Sequence, residues 1–205
     1  MARLPVILGL CVLFSCAFAQ QTPPPAAGSC VACHGQEGQG AAAFPHLAGL
    51  GEAYIRRQLD AFASGERANA TMKPIASGLS ETQRQAVAAY FSGLKMAPAD
   101  SASAEPPDGP GRELAVHGRW DQELPACVQC HGPDGRGIGE DFPPLAGQPA
   151  GYLENQLKAW RAGQRPAGPQ ELMGHIAERL DADDLKAVAE YFAALPAATA
   201  EAGDD

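Results

Sequence analysis

Cys30-Val31-Ala32-Cys33-His34-Gly35 and, 97 residues further on, Cys127-Val128-Gln129-Cys130-His131-Gly132 are the stretches on which the reading of this chain turns. Two thiols separated by two residues, with a histidine directly after the second, have the spacing of covalent haem attachment. Both sulfurs bond the porphyrin edge and the adjacent imidazole reaches the iron. Paired cysteines in an exported chain can also be disulfides, and Cys/His groups can hold zinc, which would need further ligands at suitable spacing. Outside these motifs the only cysteines are Cys11 and Cys16, near the N-terminus. The doubled motif therefore predicts two haem c groups, bonded through Cys30, Cys33, Cys127 and Cys130, with His34 and His131 as proximal iron ligands.

Around the motifs the chain repeats itself. Phe44-Pro45-His46-Leu47-Ala48-Gly49 matches Phe142-Pro143-Pro144-Leu145-Ala146-Gly147. Tyr54, Gln58, Gly65 and Arg67 match Tyr152, Gln156, Gly163 and Arg165, and Met72-x-x-Ile75-Ala76 matches Met173-x-x-Ile176-Ala177. Ala89-Tyr90-Phe91 matches Glu190-Tyr191-Phe192. The offset drifts from 97 to 98 to 101, which puts small insertions in loops.

Residues 1–19 carry one charge, Arg3, a short apolar run and Ala17-Phe18-Ala19, the pattern of a secretory signal peptide. Lipid anchoring at Cys16 is the less favoured alternative. Without that segment the net charge is −10, against −9 for the whole chain. Such an excess of acid argues against nucleic acid or an anionic membrane and suits a partner with a basic docking patch. No later segment reads as membrane-spanning. The division expected is domain 1 over 20–96, a Pro/Ser/acid-rich linker over 97–110, domain 2 over 111–196, and a loose acidic tail over 197–205.

Both copies read as all-α. Ser80 with Gln83 is a capping box ahead of Val87, Tyr90, Phe91 and Leu94. Asp181 plays the same part ahead of Leu185, Val188, Tyr191 and Phe192. Helices are also expected over 52–64, 150–162 and 111–119. The run Pro23-Pro24-Pro25 predicts polyproline geometry and no full helix before the first motif.

An electron-transfer haem needs its second axial position filled, and a methionine thioether does so while raising the reduction potential. Met72 and Met173 align and each precedes the last helix of its copy; Met96 has no counterpart and reads as filler. The surroundings of Met72 read as polar loop. His46, His117 and His175 have no counterparts either, and are expected to lie at the surface or against a propionate. Phe62 and Trp160 are expected to wall the haem pocket or the core.

C-x-x-C-H-G-x-x-G-x-G, F-P-x-L-A-G, Y-x-x-x-Q-L, G-x-R, Met-x-x-I-A and A-x-Y-F together resemble a class I cytochrome c domain, and the tandem arrangement resembles dihaem cytochrome c4. The resemblance covers residues 28–195. It implies two small helical domains about a pseudo-twofold axis, His34/Met72 and His131/Met173 as axial pairs, and Pro45 and Pro143 carbonyls accepting from the proximal imidazoles. It also implies Tyr54, Gln58, Arg67, Tyr152, Gln156 and Arg165 as haem-propionate contacts, helix packing being the rival role for the two tyrosines.

Two six-coordinate irons leave no vacant position for a substrate, so an electron-transfer protein is expected and not an enzyme such as a dihaem peroxidase. The first expectation is a periplasmic respiratory carrier, acting as monomer or in transient complexes, from a quinol-oxidising complex or dehydrogenase to a terminal oxidase. The alternative is a dihaem electron-accepting subunit of a periplasmic dehydrogenase complex.

Overall fold

The structure, a computed structural model, describes residues 22–41, 43–95, 107–166, 168 and 171–197. The signal segment with Cys16, Met96, most of the linker and the tail beyond Ala197 lie outside the described residues. Among the described residues there is no sheet. Three isolated bridges, Ala41 with Phe44, Arg119 with Leu124 and Ile138 with Phe142, pin short loops.

The first half runs from a 3-10 turn, Pro25–Ala27, into α1 (Gly28–His34), then α2 (Glu52–Ser64), α3 (Met72–Ser77) and α4 (Glu81–Ser92). The second half has α5 (Pro110–Val116), α6 (Val128–His131), α7 (Ala150–Arg161), α8 (Leu172–Glu178) and α9 (Ala182–Ala194). The helices with clear periodicity and caps fall where the sequence puts them. Ser80 accepts from the Gln83 backbone N–H while the Gln83 side chain reaches back to Ser80, and Asp181 and Asp184 make the same reciprocal pair. Each end so capped satisfies two donors that a helix start leaves open.

Other expectations need correction. Pro24 is extended, but Pro25 opens the 3-10 turn, since its fixed φ suits the first helical position. Pro110, assigned to the linker, likewise begins α5, which stops at Val116 before Gly118 turns the chain at φ +70. Ala197, assigned to the loose tail, is buried and lies against Gly147. The polar loop expected ahead of Met72 is present over Asn69-Ala70-Thr71, and Met72 itself is the first residue of α3.

The halves share one packing scheme and differ at one place. Phe91 and Phe192 are fully buried beneath Gly38 and Gly135, whose φ of +69 and missing Cβ let each loop lie on the ring. In the second half α5 crosses α9 so closely that a Cβ on Gly111 would stand 2.2 Å from the Ala187 carbonyl oxygen. The crossing buries Tyr191 and closes a leucine cluster of Leu114, Leu124, Leu180 and Leu185. In the first half, among the described residues ahead of Cys30, the 3-10 turn is what packs on α4, through the buried Ala27. Ala86 is exposed and Tyr90 half-buried there. Arg84 takes the place of Leu185, holding Asp60 at 2.7 Å and the Leu79 carbonyl at 2.6 Å. A face that no helix covers among the described residues is polar.

Candidate functional site

Each motif ends a short helix, so the histidine closes a turn and its ring points into the core of its half. His34 and His131 are each 6% exposed. Nδ1 of His34 donates to the Pro45 carbonyl at 2.9 Å, and Nδ1 of His131 to the Pro143 carbonyl at 2.8 Å. A carbonyl only accepts, so the proton sits on Nδ1 and Nε2 keeps its lone pair for a metal. Burial lowers the pKa of both rings, outweighing those bonds, so both rings are held neutral. The expected proline carbonyls are therefore in place.

The first thiol of each motif is a poor thiolate. Burial pushes Cys30 up, against a lowering bond to Ser29, and pushes Cys127 up to about 12. Such surroundings suit sulfurs that end as uncharged thioethers and oppose a zinc thiolate.

In the first half these groups open onto a cavity of about 620 Å³ whose lining includes Cys30, Cys33, His34, Leu59, Phe62 and Met72. It is a largely apolar slot with a histidine and a thioether on its walls, and its chemistry fits a haem. Phe62 is a wall, as expected. Trp160 is half-buried, its ring under the Arg165 guanidinium at 4.0 Å and its Nε1 bonded to the Pro166 carbonyl at 3.0 Å.

The six polar candidates occupy one place, between the halves. Arg67 donates to Gln58 of its own half at 2.8 Å, to the Tyr152 hydroxyl across the interface at 3.2 Å, and to Gln156. Arg165 mirrors it, donating to Gln156 at 3.2 Å, to the Tyr54 hydroxyl at 2.8 Å and to Gln58 at 3.3 Å. This reciprocity is what a pseudo-twofold relation between the halves produces. Both guanidiniums are more than nine-tenths buried, and every acceptor they reach is neutral. Burial would raise the Tyr152 hydroxyl, yet the charges of Arg67 and Arg165 outweigh it and pull it below the ordinary phenol range. Buried cations without counter-charge are costly. The site is built for anions, and haem propionates are anions of the right kind. The tyrosines thus do more than pack helices: they join the two halves through the arginines.

Four further interface residues escape the sequence reading. Glu140 reaches from the second half to the start of α2, its Oε2 accepting from the Ala53 N–H at 2.8 Å, while Arg57 donates to the Glu140 carbonyl and pairs with Asp141, both at 2.8 Å. The signal was available: these acids sit in the insertion that moves the repeat offset from 97 to 98. Gln148, where the first copy has Leu50, clasps the His46 backbone, accepting from its N–H at 3.0 Å and donating to its carbonyl at 3.1 Å. His46 is accordingly no surface residue; it is buried, with no partner for Nδ1 among the described residues. His117 and His175 are exposed, as expected.

Two Cys-x-x-Cys-His motifs, each ending in a buried imidazole, in tandem helical halves are the framework of a c-type cytochrome, and comparison with known proteins agrees. The cytochrome c family model matches residues 26–95 and 122–196. A thiosulfate dehydrogenase electron acceptor of Stutzerimonas stutzeri (strain A1501) is 50% identical over 175 residues, covering 82% of this chain and 80% of that protein. Among solved structures, a thiosulfate dehydrogenase (TsdBA) from Marichromatium purpuratum in its as-isolated form superposes with a TM-score of 0.75 at 45% identity, over 83% of this chain. This chain spans only 37% of that longer one. Reduced recombinant cytochrome c4 from Pseudomonas stutzeri superposes at TM-score 0.71 and 33% identity, over 82% of this chain and 94% of that one. The chain belongs to the cytochrome c family, within the dihaem cytochrome c4 group. It is an electron-transfer protein rather than an enzyme, and its cofactor is haem c. No helix of the described residues is long and apolar enough to cross a membrane.

Proposed function

We propose that this chain is the dihaem electron-accepting partner of a thiosulfate-oxidising dehydrogenase in the periplasm, passing electrons on to a further carrier or terminal oxidase. The observation that carries the reading is the 50% identity, over four-fifths of both chains, to a protein named for that role. It favours the alternative drawn from sequence, an acceptor subunit, over a general respiratory shuttle. Each half would hold one haem, two in all, which when bound supply one-electron iron chemistry. Cys30 with Cys33, and Cys127 with Cys130, fix the two groups covalently. His34 and Met72, and His131 and Met173, would occupy the axial positions and leave no open coordination place. Pro45 and Pro143 hold the imidazoles in register. Arg67 and Arg165 would take up propionate charge, and with Tyr54, Gln58, Tyr152 and Gln156 bring the two groups to one interface.

The test is to mix the oxidised holoprotein with a thiosulfate dehydrogenase and thiosulfate and follow the haem absorbance. Reduction of both haems is expected with enzyme and substrate together and not with thiosulfate alone. A reduction rate that the enzyme leaves unchanged overturns the partner. Carbon monoxide binding to the reduced native protein would overturn the six-coordinate assignment.

A further inference from the structure

Met72 opens a helix of only six residues, and Thr71, at the cap position, makes no side-chain cap bond. What holds the methionine is Asn69, three residues back. Its Oδ1 accepts from the N–H of Met72 at 2.8 Å and of Thr71 at 3.0 Å, and its carbonyl accepts from the N–H of Lys73 at 3.0 Å. Three consecutive amides centred on Met72 thus converge on one residue. The other end of the segment is anchored too. The Ala68 N–H donates to the Gln164 carbonyl of the second half at 2.8 Å, next to the Arg67 network.

We propose that Asn69 is a positioning residue for the axial sulfur of Met72. The inference rests on reading Met72 as an iron ligand. A thioether is a neutral, weakly held ligand, so its occupancy depends on how much freedom its backbone must give up to deliver it. Asn69 removes that freedom in advance, between a point fixed to the second half and the residue that carries the sulfur. Without Oδ1 two amides return to water and the loop must be ordered anew each time the sulfur binds. At the other site α8 starts differently: Glu171 at its cap is in the left-handed region at φ 55 and makes no side-chain cap bond. A change at Asn69 therefore acts on one haem of the two.

The experiment is an imidazole titration of the oxidised holoprotein, read in the near-infrared methionine–iron band, alongside a redox titration. In Asn69→Ala, imidazole is expected to displace methionine at one haem at about five-fold lower concentration than in the wild type, the usual scale of a lost cap. The potential of that haem falls and the other is unmoved. Asn69→Asp, which keeps the acceptor oxygen, restores wild-type behaviour. An Asn69→Ala titration indistinguishable from wild type, an equal change at both haems, or no rescue by aspartate overturns the proposal. Met72→Ala separates the two levels. If it leaves the band intact, the axial assignment itself fails; if it removes the band at one haem while Asn69→Ala changes nothing, only the positioning role fails.

Discussion

Asp184 shows how one residue serves two structures. It caps α9 through the Asp181 amide and receives the Arg119 guanidinium. Burial pushes its carboxyl up, but the Arg119 bond, the Asp181 amide and the Arg119 charge together outweigh it and hold the group below its ordinary range. A carboxyl depressed on folding adds stability above its unfolded pKa of about 4 and loses that contribution as pH falls through the folded value. Asp184→Ala should therefore cost about 1–2 kcal/mol at pH 7, and the gap to wild type should narrow steadily as pH falls below about 4. Denaturant melts of both holoproteins across that range check it; a gap independent of pH contradicts it. At this scale much was legible. Ser80, Asp181 and the two Cys/His motifs announce themselves because their chemistry is local. Arg67 and Arg165 could be picked out but not placed: a repeat shows that two residues are equivalent, not that they meet.

The long elements were the legible ones, with α5 the short exception. Helices α2, α4, α7 and α9 carry twelve or thirteen residues each, enough for apolar periodicity to register. Helices α3 and α8 are six and seven residues long and contain Pro74 and Gly174, so no period emerges. What starts α3 is Asn69, two residues ahead of the cap, whose Oδ1 takes the Thr71 and Met72 amides. The crossing of α5 over α9 gives the sharpest element-scale prediction. Since a Cβ at Gly111 would fall 2.2 Å from the Ala187 carbonyl oxygen, backbone must move to admit it. Gly111→Ala should destabilise the second half by about 1–3 kcal/mol, although alanine is the better helix former. The same change at Gly28, where an added Cβ would meet nothing within 4 Å, should be neutral or stabilising. Thermal melts of the two variants, compared, decide the point.

Across the whole molecule the two copies have diverged in charge. Residues 22–95 hold six basic and five acidic side chains, net +1, whereas residues 107–197 hold eight and fourteen, net −6. A partner steered by charge meets the second half first if its patch is basic. Association with such a partner should slow as salt rises from about 10 to 150 mM, where the screening length shrinks from about 30 to 8 Å. Stopped-flow mixing at several ionic strengths measures this, and a rate insensitive to salt would rule out steering by this asymmetry. The repeat shows that Tyr54, Gln58 and Arg67 have counterparts but not that they meet them, and the rest of the docking depends on residues in which the copies differ, Glu140, Gln148 and His46 among them.

The contact of Glu140 with the first turn of α2 carries an evolutionary corollary. A duplicated gene begins as two interchangeable parts, each able to stand alone. Here one part finishes a helix belonging to the other, from a loop one residue longer than its sibling's and carrying acids the sibling lacks. Excising the second half would return that helix end to water, so the two copies are no longer equivalent as separate parts.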